Sequence, residues 1–556
     1  MSAEAVNMID VRTEPSRYRH WRLEVDGAIA WLTMDVDPAG GLFDGYELKL
    51  NSYDLGVDIE LADAVTRLRF EHPGVRAVVL QSGQERVFCA GANIRMLAAT
   101  DHGHKVNFCK FTNETRNLME ASGAEAGQLY ICAIRGSCAG GGYELALACD
   151  WIILADDGNS SVSLPEAPLL AVLPGTGGLT RVTDKRYVRR DRADVFCAME
   201  EGLRGKKALD WRLVDEVVAN SKFDDAVAAR ARVFVDESLR KGQGTGVALT
   251  PIEREVEEGR ITYATLEVTI DRDAGRAVLA IIGPEGAPAA MDALTAESWI
   301  LRAARELDDA ILHMRLNEPE IGLLCFASQG DLGAVMAHEA MLLENAEHWL
   351  AREILLLWKR VLKRIDLTSR SLVALIEPGS CFAGVLAEIA LACDRSYMAE
   401  GTFEGDSRPE AALMLTGTNF GPMGMSNGLT RLQTRFLGDD GALEAAKAQT
   451  GESLSAEQAE DLGLVTFAYD DIDWEDEVRI FLEERASFSP DALTAMEANL
   501  RFPGPETMET KIFARLTAWQ NWVFQRPNAV GAAGALQRYG TGQRAEFDRK
   551  RAFRGW

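Results

Sequence analysis

The stretch GSCAGGGYELALACD at residues 136–150 returns at residues 379–394 as GSCFAGVLAEIALACD. Two further pairs keep the same order along the chain: LPEAPLL at 164–170 with RPEAALM at 408–414, and GLTR at 178–181 with GLTR at 428–431. Matches that keep their order predict an internal duplication. One difference bears on chemistry, since Gly140-Gly141-Gly142 of the first copy becomes Gly384-Val385-Leu386 in the second.

The duplication divides the 556 residues into two units of roughly 250 residues, a size within the range of a single domain. We therefore expect one domain over residues 1–250 and a second, with a C-terminal helical extension, over residues 251–556. Between them, KGQGTG at 241–246 and EREVEEGR at 253–260 indicate a connecting segment.

Local patterns in the first unit alternate between strand and helix. WRLEVDGAIAWLTMDV at 21–36 alternates around Asp26-Gly27 and predicts a hairpin, and VDIELADAVTRLRF at 57–70 has apolar residues at helical spacing. Buried strands are predicted at RAVVLQ (76–81), YICAI (130–134) and WIILA (151–155). This alternation predicts an α/β fold, and residues 263–282 repeat the opening hairpin in the second unit.

Composition argues against several classes of function. The formal net charge of −26 opposes binding to a nucleic-acid backbone, so we expect no nucleic-acid partner. The sequence has no run of about 18 apolar residues and no signal-peptide core near its start, which predicts a cytoplasmic protein without a membrane partner. The 9 cysteines form no C-x-x-C pair, and His102 and His104 have no further ligand in view, so we expect no metal site.

Three stretches of the first unit carry residues suited to catalysis: VFCAGANI at 87–94, CAGGGYELALACD at 138–150 and SLPEAPLLAVLPGTGG at 163–178. Small residues let backbone N–H groups approach a ligand, and a helix N-terminus adds unpaired donors that can hold an oxyanion. Taken singly, a glycine-rich turn is typical of tight packing, and Glu144 or Glu166 is an ordinary helix-start residue. Two donor loops and two carboxylates together favour a site.

These stretches resemble motifs of the crotonase, or enoyl-CoA hydratase, superfamily. The matching residues are Cys89-Ala90-Gly91-Ala92-Asn93, Gly140-Gly141-Gly142-Tyr143-Glu144, and Pro165-Glu166 through to Pro174-Gly175-Thr176-Gly177-Gly178. The resemblance implies a spiral of ββα units, here tandemly duplicated with a degenerate second copy. It also implies a coenzyme A thioester as substrate and no cofactor other than the coenzyme A of that substrate.

Roles for individual residues follow from the same resemblance. The N–H groups of Ala92 and Gly141 would polarise the thioester carbonyl, and Glu144 and Glu166 would handle water and protons. Substrate-binding positions are implied in these loops and in a loosely matching segment before them: Lys49, Leu50, Asn51, Cys89, Ala90, Gly91, Asn93, Gly140 and Gly142. Asn93 replaces an aspartate that is common in the family. Without a histidine in the motifs, we interpret Cys89 as a buried thiol rather than a nucleophile.

The second unit keeps fewer of these features. GLLCFASQGDLGAVMAHEAML at 322–342 stands where the first donor loop would be and has no C-A-G-A. Glu388 and Glu410 match the two glutamates of the first unit, but without donor loops we interpret them as structural remnants.

Within the superfamily, the tandem arrangement resembles that of ring-opening lyases along essentially the whole chain. This implies that 2,3-epoxybenzoyl-CoA reacts with two waters to give 3,4-dehydroadipyl-CoA semialdehyde and formate. The motifs are equally compatible with an enoyl-CoA hydratase or isomerase acting on linear chains. A non-catalytic acyl-CoA-binding scaffold is a third alternative, which the intact donor loops disfavour. Single-copy relatives assemble into trimers and hexamers whose interfaces bury apolar surface, and a fused second copy would supply such an interface within one chain. We therefore expect a small homo-oligomer, with a dimer favoured.

Overall fold

The computed structural model describes residues 8–240, 242 and 244–550. Their chain forms two compact units. The first unit comprises Val11–Pro251 and Glu347–Glu353, and the second comprises Met1–Asp10, Ile252–Ala346 and Ile354–Trp556. Within the described residues, no helix is long and apolar enough to cross a membrane.

In the first unit, the predicted α/β fold is confirmed. Its strands are β1 (Trp21–Asp26), β2 (Ile29–Met34), β3 (Ala77–Ser82), β4 (Val87–Cys89), β5 (Leu129–Ile134), β6 (Ser137–Ala139), β7 (Trp151–Asp156), β8 (Ser161–Ser163) and β9 (Glu216–Ala219). The main sheet has the order β1-β2-β3-β5-β7-β9. β1 and β2 pair antiparallel as the predicted hairpin, and the other neighbours are parallel. A separate small parallel sheet contains β4, β6 and β8.

The helices of the first unit follow the strands. They are α1 (Leu55–Phe70), α2 (Ile94–Ala99), α3 (His102–Ala126), α4 (Gly141–Ala148), α5 (Glu166–Leu170), α6 (Gly178–Thr180), α7 (Arg190–Cys197), α8 (Gly205–Asp210) and α9 (Phe223–Glu237). The predicted helix at 57–70 starts at Leu55, because the Asp54 side chain accepts from the N–H groups of Gly56 and Val57 and so caps the helix there.

One buried hydrophobic cluster of the first unit lies between the parallel strands and α9. Its buried members are Ala77, Val79, Ile131, Ala133, Ile153, Ala155, Phe223, Val227, Ala231 and Phe234. Burying a large aliphatic or aromatic side chain contributes about 1.5–3 kcal/mol. This packing fixes the strands whose C-terminal ends lead into the three stretches with candidate catalytic residues.

The second unit has its own sheets. Its strands are β10 (Glu255–Glu257), β11 (Arg260–Thr262), β12 (Leu266–Asp271), β13 (Arg276–Ile282), β14 (Leu323–Gln329), β15 (Ser371–Ile376), β16 (Phe382–Ala383), β17 (Arg395–Ala399), β18 (Leu413–Met414), β19 (Ser453–Leu454) and β20 (Phe467–Tyr469). The larger sheet has the order β10-β11-β12-β13-β14-β15-β17-β20 and the smaller has the order β16-β18-β19. In the larger sheet the pairs from β10 to β13 are antiparallel and those from β13 to β20 are parallel.

The prediction of a connecting segment at 253–260 is wrong. β10 and β11 form an antiparallel hairpin at the edge of the larger sheet, with the turn at Gly259, where φ is +82°. Its charged residues suit an exposed edge strand, where charge discourages further pairing, and composition alone does not separate such a strand from a linker. Of the other predicted linker residues, Lys241 and Gln243 lie outside the described residues.

The remaining helices are α10 (Trp299–Asn317), α11 (Leu332–Glu344), α12 (Trp349–Asp366), α13 (Val385–Ala392), α14 (Arg431–Arg435), α15 (Asp440–Ala448), α16 (Ala456–Asp461), α17 (Trp474–Ser487), α18 (Pro490–Leu500), α19 (Met508–Thr510), α20 (Thr517–Val523), α21 (Pro527–Val530) and α22 (Ala535–Arg538). Among the described residues after β20, helices recur from Trp474 to Arg538.

Candidate active site

The candidate site lies where three segments of the first unit, each with two consecutive strands, end. β3 leads through β4 to Ala92, β5 leads through β6 to Gly140-Gly141, and β7 leads through β8 to Glu166. Because β4, β6 and β8 are parallel neighbours, the segments that follow them emerge at the same edge of the small sheet. The fold therefore brings the three predicted stretches together.

The first donor loop is held on both sides of Ala92 by one residue, Tyr53. The Tyr53 N–H donates to the Gly91 carbonyl at 3.0 Å, and the Asn93 N–H donates to the Tyr53 carbonyl at 2.8 Å. Ala92 is half-buried, and its own N–H makes no hydrogen bond within the described part of the chain. Its N–H group is therefore available to a ligand oxygen.

The second donor lies at the start of α4. Gly140 precedes the helix with φ of +53°, a conformation that favours glycine. Gly141 is the first helical residue, and its N–H has no acceptor among the described residues, as is usual in a first turn. A Cβ on Gly91 would lie 2.9 Å from the Gly141 nitrogen, and a Cβ on Gly142 would lie 2.6 Å from the Cβ of Cys89. The two donor loops are thus adjacent, and the missing side chains let them meet.

Glu144 is buried one turn into α4. Its carboxylate accepts hydrogen bonds from the Thr176 hydroxyl and, at 2.7 Å, from the Gly178 N–H. Burial raises the pKa of Glu144, while these two donors and the Arg116 guanidinium oppose the rise. The third stretch thus holds one oxygen of this carboxylate through Thr176 and the other through Gly178.

Glu166 is the first residue of α5 and is also buried. A Cβ on Gly140 would lie 2.9 Å from its Oε1, and its Oε2 has no hydrogen-bond partner in the part of the chain that the structure describes. Burial, with the nearby charge of Glu144, raises the pKa of Glu166 to about 7. One carboxyl of the pair is held by hydrogen bonds, and the other can gain or lose a proton near neutrality.

Cys89 and Asn93, in the same loop as Ala92, make hydrogen bonds within the protein. The Cys89 thiol is fully buried and donates to the Asn51 carbonyl at 3.0 Å, and burial raises its pKa to about 12. A thiol with that pKa is neutral and a poor nucleophile at physiological pH. Asn93 caps α2 by accepting from the Met96 N–H at 2.9 Å. Ala90 is exposed.

The segment 49–51 divides into an exposed and a buried part. Lys49 and Leu50 are exposed, and Lys49 pairs with Glu47 at 2.6 Å. Asn51 is fully buried, and its side chain makes hydrogen bonds to Met34, Val36, Ser82, Gln84 and Phe88. Leu50 and Asn51 have φ of +57° and +50°, values that are strained for residues with side chains. Asn51 holds this loop in shape, and Lys49 and Leu50 stay open to a ligand.

The corresponding helix start in the second unit is already occupied. Gly384 precedes α13 with φ of +48°, and Val385 is the first helical residue. The Val385 N–H donates to Glu339 at 2.6 Å, and the same carboxylate accepts from the Thr416 hydroxyl. Glu339 is 2 % exposed. A buried carboxylate of the protein itself therefore accepts the hydrogen bond of the N–H group at this helix start.

The glutamates of the second unit also have different surroundings. Glu388 is fully buried and pairs with Arg431 at 2.7 Å, and it accepts a hydrogen bond from Asn419 at 2.8 Å. Arg431 pairs in addition with Asp366 at 2.6 Å. Glu410 is exposed. One of these two carboxylates is thus buried in an ion pair and the other is exposed, whereas Glu144 and Glu166 are both buried.

The sequence alone does not mark Tyr53, Arg116 or Glu339 as functional residues. None of them lies in a motif or at a periodic position that marks it, because each reaches its position through the tertiary fold. Thr176 and Gly178 lie inside the predicted third stretch, but the sequence does not show that they bind Glu144.

Residues 47–264 match the enoyl-CoA hydratase/isomerase family. Over 549 residues the chain is 54% identical to the benzoyl-CoA-dihydrodiol lyase of Aromatoleum evansii, covering 97% of each chain. It is 30% identical to the fatty acid oxidation complex subunit alpha of Aliivibrio fischeri over 227 residues, 39% of this chain and 28% of that protein. Among solved structures, an enoyl-CoA hydratase of Geobacillus kaustophilus is 30% identical over 39% of this chain and 75% of its own, with a TM-score of 0.35.

Proposed function

Because this chain belongs to the enoyl-CoA hydratase/isomerase, or crotonase, family of enzymes, together with a benzoyl-CoA-dihydrodiol lyase, we propose that it opens the ring of 2,3-epoxybenzoyl-CoA. The reaction consumes two waters and releases formate and 3,4-dehydroadipyl-CoA semialdehyde. The coenzyme A belongs to the substrate, and the steps need no net oxidation or reduction by a cofactor.

The observation that carries this proposal is the pair of free donors at Ala92 and Gly141. Negative charge develops on the thioester oxygen when water adds to the conjugated ring, and two preorganised N–H groups stabilise it. Each such donor contributes about 3–4 kcal/mol to lowering the barrier. Both belong to the backbone of adjacent loops, so they need no rearrangement when the charge forms.

Glu144 and Glu166 divide the proton transfers between them. The hydrogen bonds from Thr176 and Gly178 fix the Glu144 carboxylate in orientation, which suits a group that aligns and deprotonates water. The free Oε2 of Glu166 and its pKa of about 7 suit a group that exchanges a proton with the opening ring. Carbon–carbon cleavage then expels the lost carbon as formate.

We further propose that the second unit is a degenerate duplicate of the first, with the boundary near residue 250. The recurring motifs support this, and so does the topology. In both main sheets, an antiparallel hairpin leads into parallel strands. Both motif helices also follow a glycine with a similar positive φ, +53° at Gly140 and +48° at Gly384. The second copy retains the fold but fills its own donor site with Glu339.

Assembly and location are also proposed. Exposed apolar side chains between residues 508 and 539 would be covered in a homodimer: Met508, Phe513, Leu516, Phe524, Leu536 and Tyr539. Light scattering on the full chain should give twice its 60.9 kDa mass. We place the protein in the cytoplasm, where its acyl-CoA substrate would be made.

The test is a product assay with 2,3-epoxybenzoyl-CoA and, in parallel, crotonyl-CoA. Formate released in step with consumption of the epoxide supports ring opening. Hydration of crotonyl-CoA without formate from the epoxide would instead identify a linear-chain hydratase. Binding of both thioesters without turnover of either would identify a scaffold.

A further inference from the structure

Tyr53 has a buried hydroxyl that the fold leaves without a partner. The residue is 1 % exposed, and its hydroxyl makes no hydrogen bond within the described residues. Burying a hydroxyl without a hydrogen bond is unfavourable, so such groups are rare in proteins. A bound ligand that accepts a hydrogen bond from this hydroxyl would explain why the protein provides no acceptor for it.

Its position points to that ligand. The Tyr53 backbone is bonded to Gly91 and Asn93, on either side of the first donor, Ala92. Its side chain reaches the second donor, because a Cβ on Gly141 would lie 2.0 Å from the Tyr53 hydroxyl oxygen. One residue therefore supports the first donor with its backbone and faces the second with its hydroxyl.

The surroundings keep this hydroxyl a neutral donor. Burial raises the pKa of Tyr53 well above its usual value of 10. The Arg116 guanidinium lies 5.5 Å from the centre of the Tyr53 ring and is paired with Asp58 at 2.6 Å. Arg116, Asp58 and Tyr53 are all buried, so the Tyr53 ring packs beside a buried ion pair.

We propose that Tyr53 is a further catalytic residue, whose hydroxyl donates a third hydrogen bond to the thioester oxygen held by the Ala92 and Gly141 N–H groups. The inference rests on the proposed function in one respect, that an acyl-CoA thioester occupies the donor pair. A phenol O–H adds a stronger acid to two backbone amides, and its bond strengthens as the oxygen becomes an enolate. No covalent step is involved, and the proton stays on Tyr53.

Tyr53→Phe removes this donor while keeping the ring. We expect kcat for 2,3-epoxybenzoyl-CoA to fall by about tenfold to a hundredfold, with KM changed much less, because the bond is stronger in the transition state. The thermal midpoint should stay the same or rise, since the lost hydroxyl has no partner in the free protein.

Tyr130→Phe is the matched control. Tyr130 is also fully buried, but its hydroxyl donates to Gln128 at 3.3 Å inside the core. This variant should lose stability and keep kcat. If Tyr53→Phe behaves in the same way, with a lower thermal midpoint and a kcat within twofold of wild type, Tyr53 is a structural residue and the proposal is wrong.

A second readout needs no turnover. The infrared carbonyl band of bound benzoyl-CoA should shift to lower frequency in the wild-type protein, and Tyr53→Phe should lose part of that shift. This separates the two proposals. A wild-type protein that shifts the band but releases no formate contradicts only the proposed function, whereas an equal shift in both proteins contradicts only the role of Tyr53. No shift in the wild-type protein would overturn the donor site and Tyr53 together.

Discussion

The Val385 N–H donates a hydrogen bond of 2.6 Å to the Glu339 carboxylate, at the helix start that corresponds to Gly141 in the first unit. A Cβ on the preceding Gly384 would lie 2.2 Å from the same carboxylate oxygen, so Glu339 fills the space above this turn. The second unit thus satisfies internally a donor that the first unit leaves free. Its motif helix keeps its geometry, and a substrate oxygen has no room to bind there.

Exchanging glutamates for glutamines should distinguish the two units. Glu144→Gln and Glu166→Gln keep the side-chain shape but remove the acid–base function, so each should lower kcat by at least about a hundredfold. Glu388→Gln should leave kcat within about twofold. It should lower the thermal midpoint, because weakening a buried ion pair such as Glu388–Arg431 costs up to roughly 3 kcal/mol. Steady-state kinetics and calorimetry on the three variants test this, and a larger kinetic loss for Glu388→Gln would place the active site in the second unit.

A side chain at Gly141 should abolish turnover. In Gly141→Ala the added carbon would lie 2.0 Å from the Tyr53 hydroxyl, and in Gly141→Val, which imitates Val385, the crowding would be greater. Either the ring or the α4 turn must move, and the donors lose their alignment. Gly74→Ala is the control, since a Cβ at Gly74 meets no atom within 4 Å. A folded Gly141→Ala protein with normal kcat would contradict the assignment of this donor.

Glu166 should make the folded protein less stable as the pH rises. Its pKa is about 7 in the fold against an ordinary 4.5, so between these values the folded state binds more protons than the unfolded state. Stability is then lost as the pH rises through 7. Glu166→Gln removes this dependence. The thermal midpoint of the variant minus that of the wild type should therefore increase between pH 4.5 and pH 7 and stay constant from pH 7 to pH 8. Thermal scans at pH 5 and pH 8 test this, and an equal difference at both would show that Glu166 does not titrate in that range.

The same titration should respond to Glu144. The charge of Glu144 is one of the causes that raise the pKa of Glu166, so Glu144→Gln should shift the Glu166 carboxyl to a lower pKa. Difference infrared spectra of the carboxyl band across pH 4 to pH 9 measure this directly and do not depend on residual activity. A band that titrates at the same pH in both proteins would show that the two carboxyls do not interact.

The sequence predicts those parts of the site that depend on short-range order. The hairpin at 21–36, the helix that ends at Phe70 and the glycine-led start of α4 follow from periodicity and turn residues, and the structure has all of them. The placement of Tyr53 against Gly141 and of Glu339 against Val385 depends on side chains 88 and 46 residues apart meeting in the fold. The sequence does not predict the edge hairpin at 255–262, because each of its strands is only three residues long and its charged residues obscure the period-two pattern.

The first unit should not be stable as an isolated fragment of residues 1–250, because that fragment lacks Glu353. This carboxylate is 2 % exposed and pairs with two buried guanidiniums of the first unit, Arg69 at 2.7 Å and Arg240 at 2.6 Å. Removing one partner of a buried ion pair leaves an uncompensated charge and costs roughly 3–5 kcal/mol, a large part of a domain's stability. We therefore expect the fragment to aggregate, and Glu353→Gln in the full chain to lower the thermal midpoint more than Glu347→Gln, which lies at the start of the same segment. Light scattering on the fragment and calorimetry on the variants measure both effects, and a monodisperse, active fragment would show that Glu353 is not required.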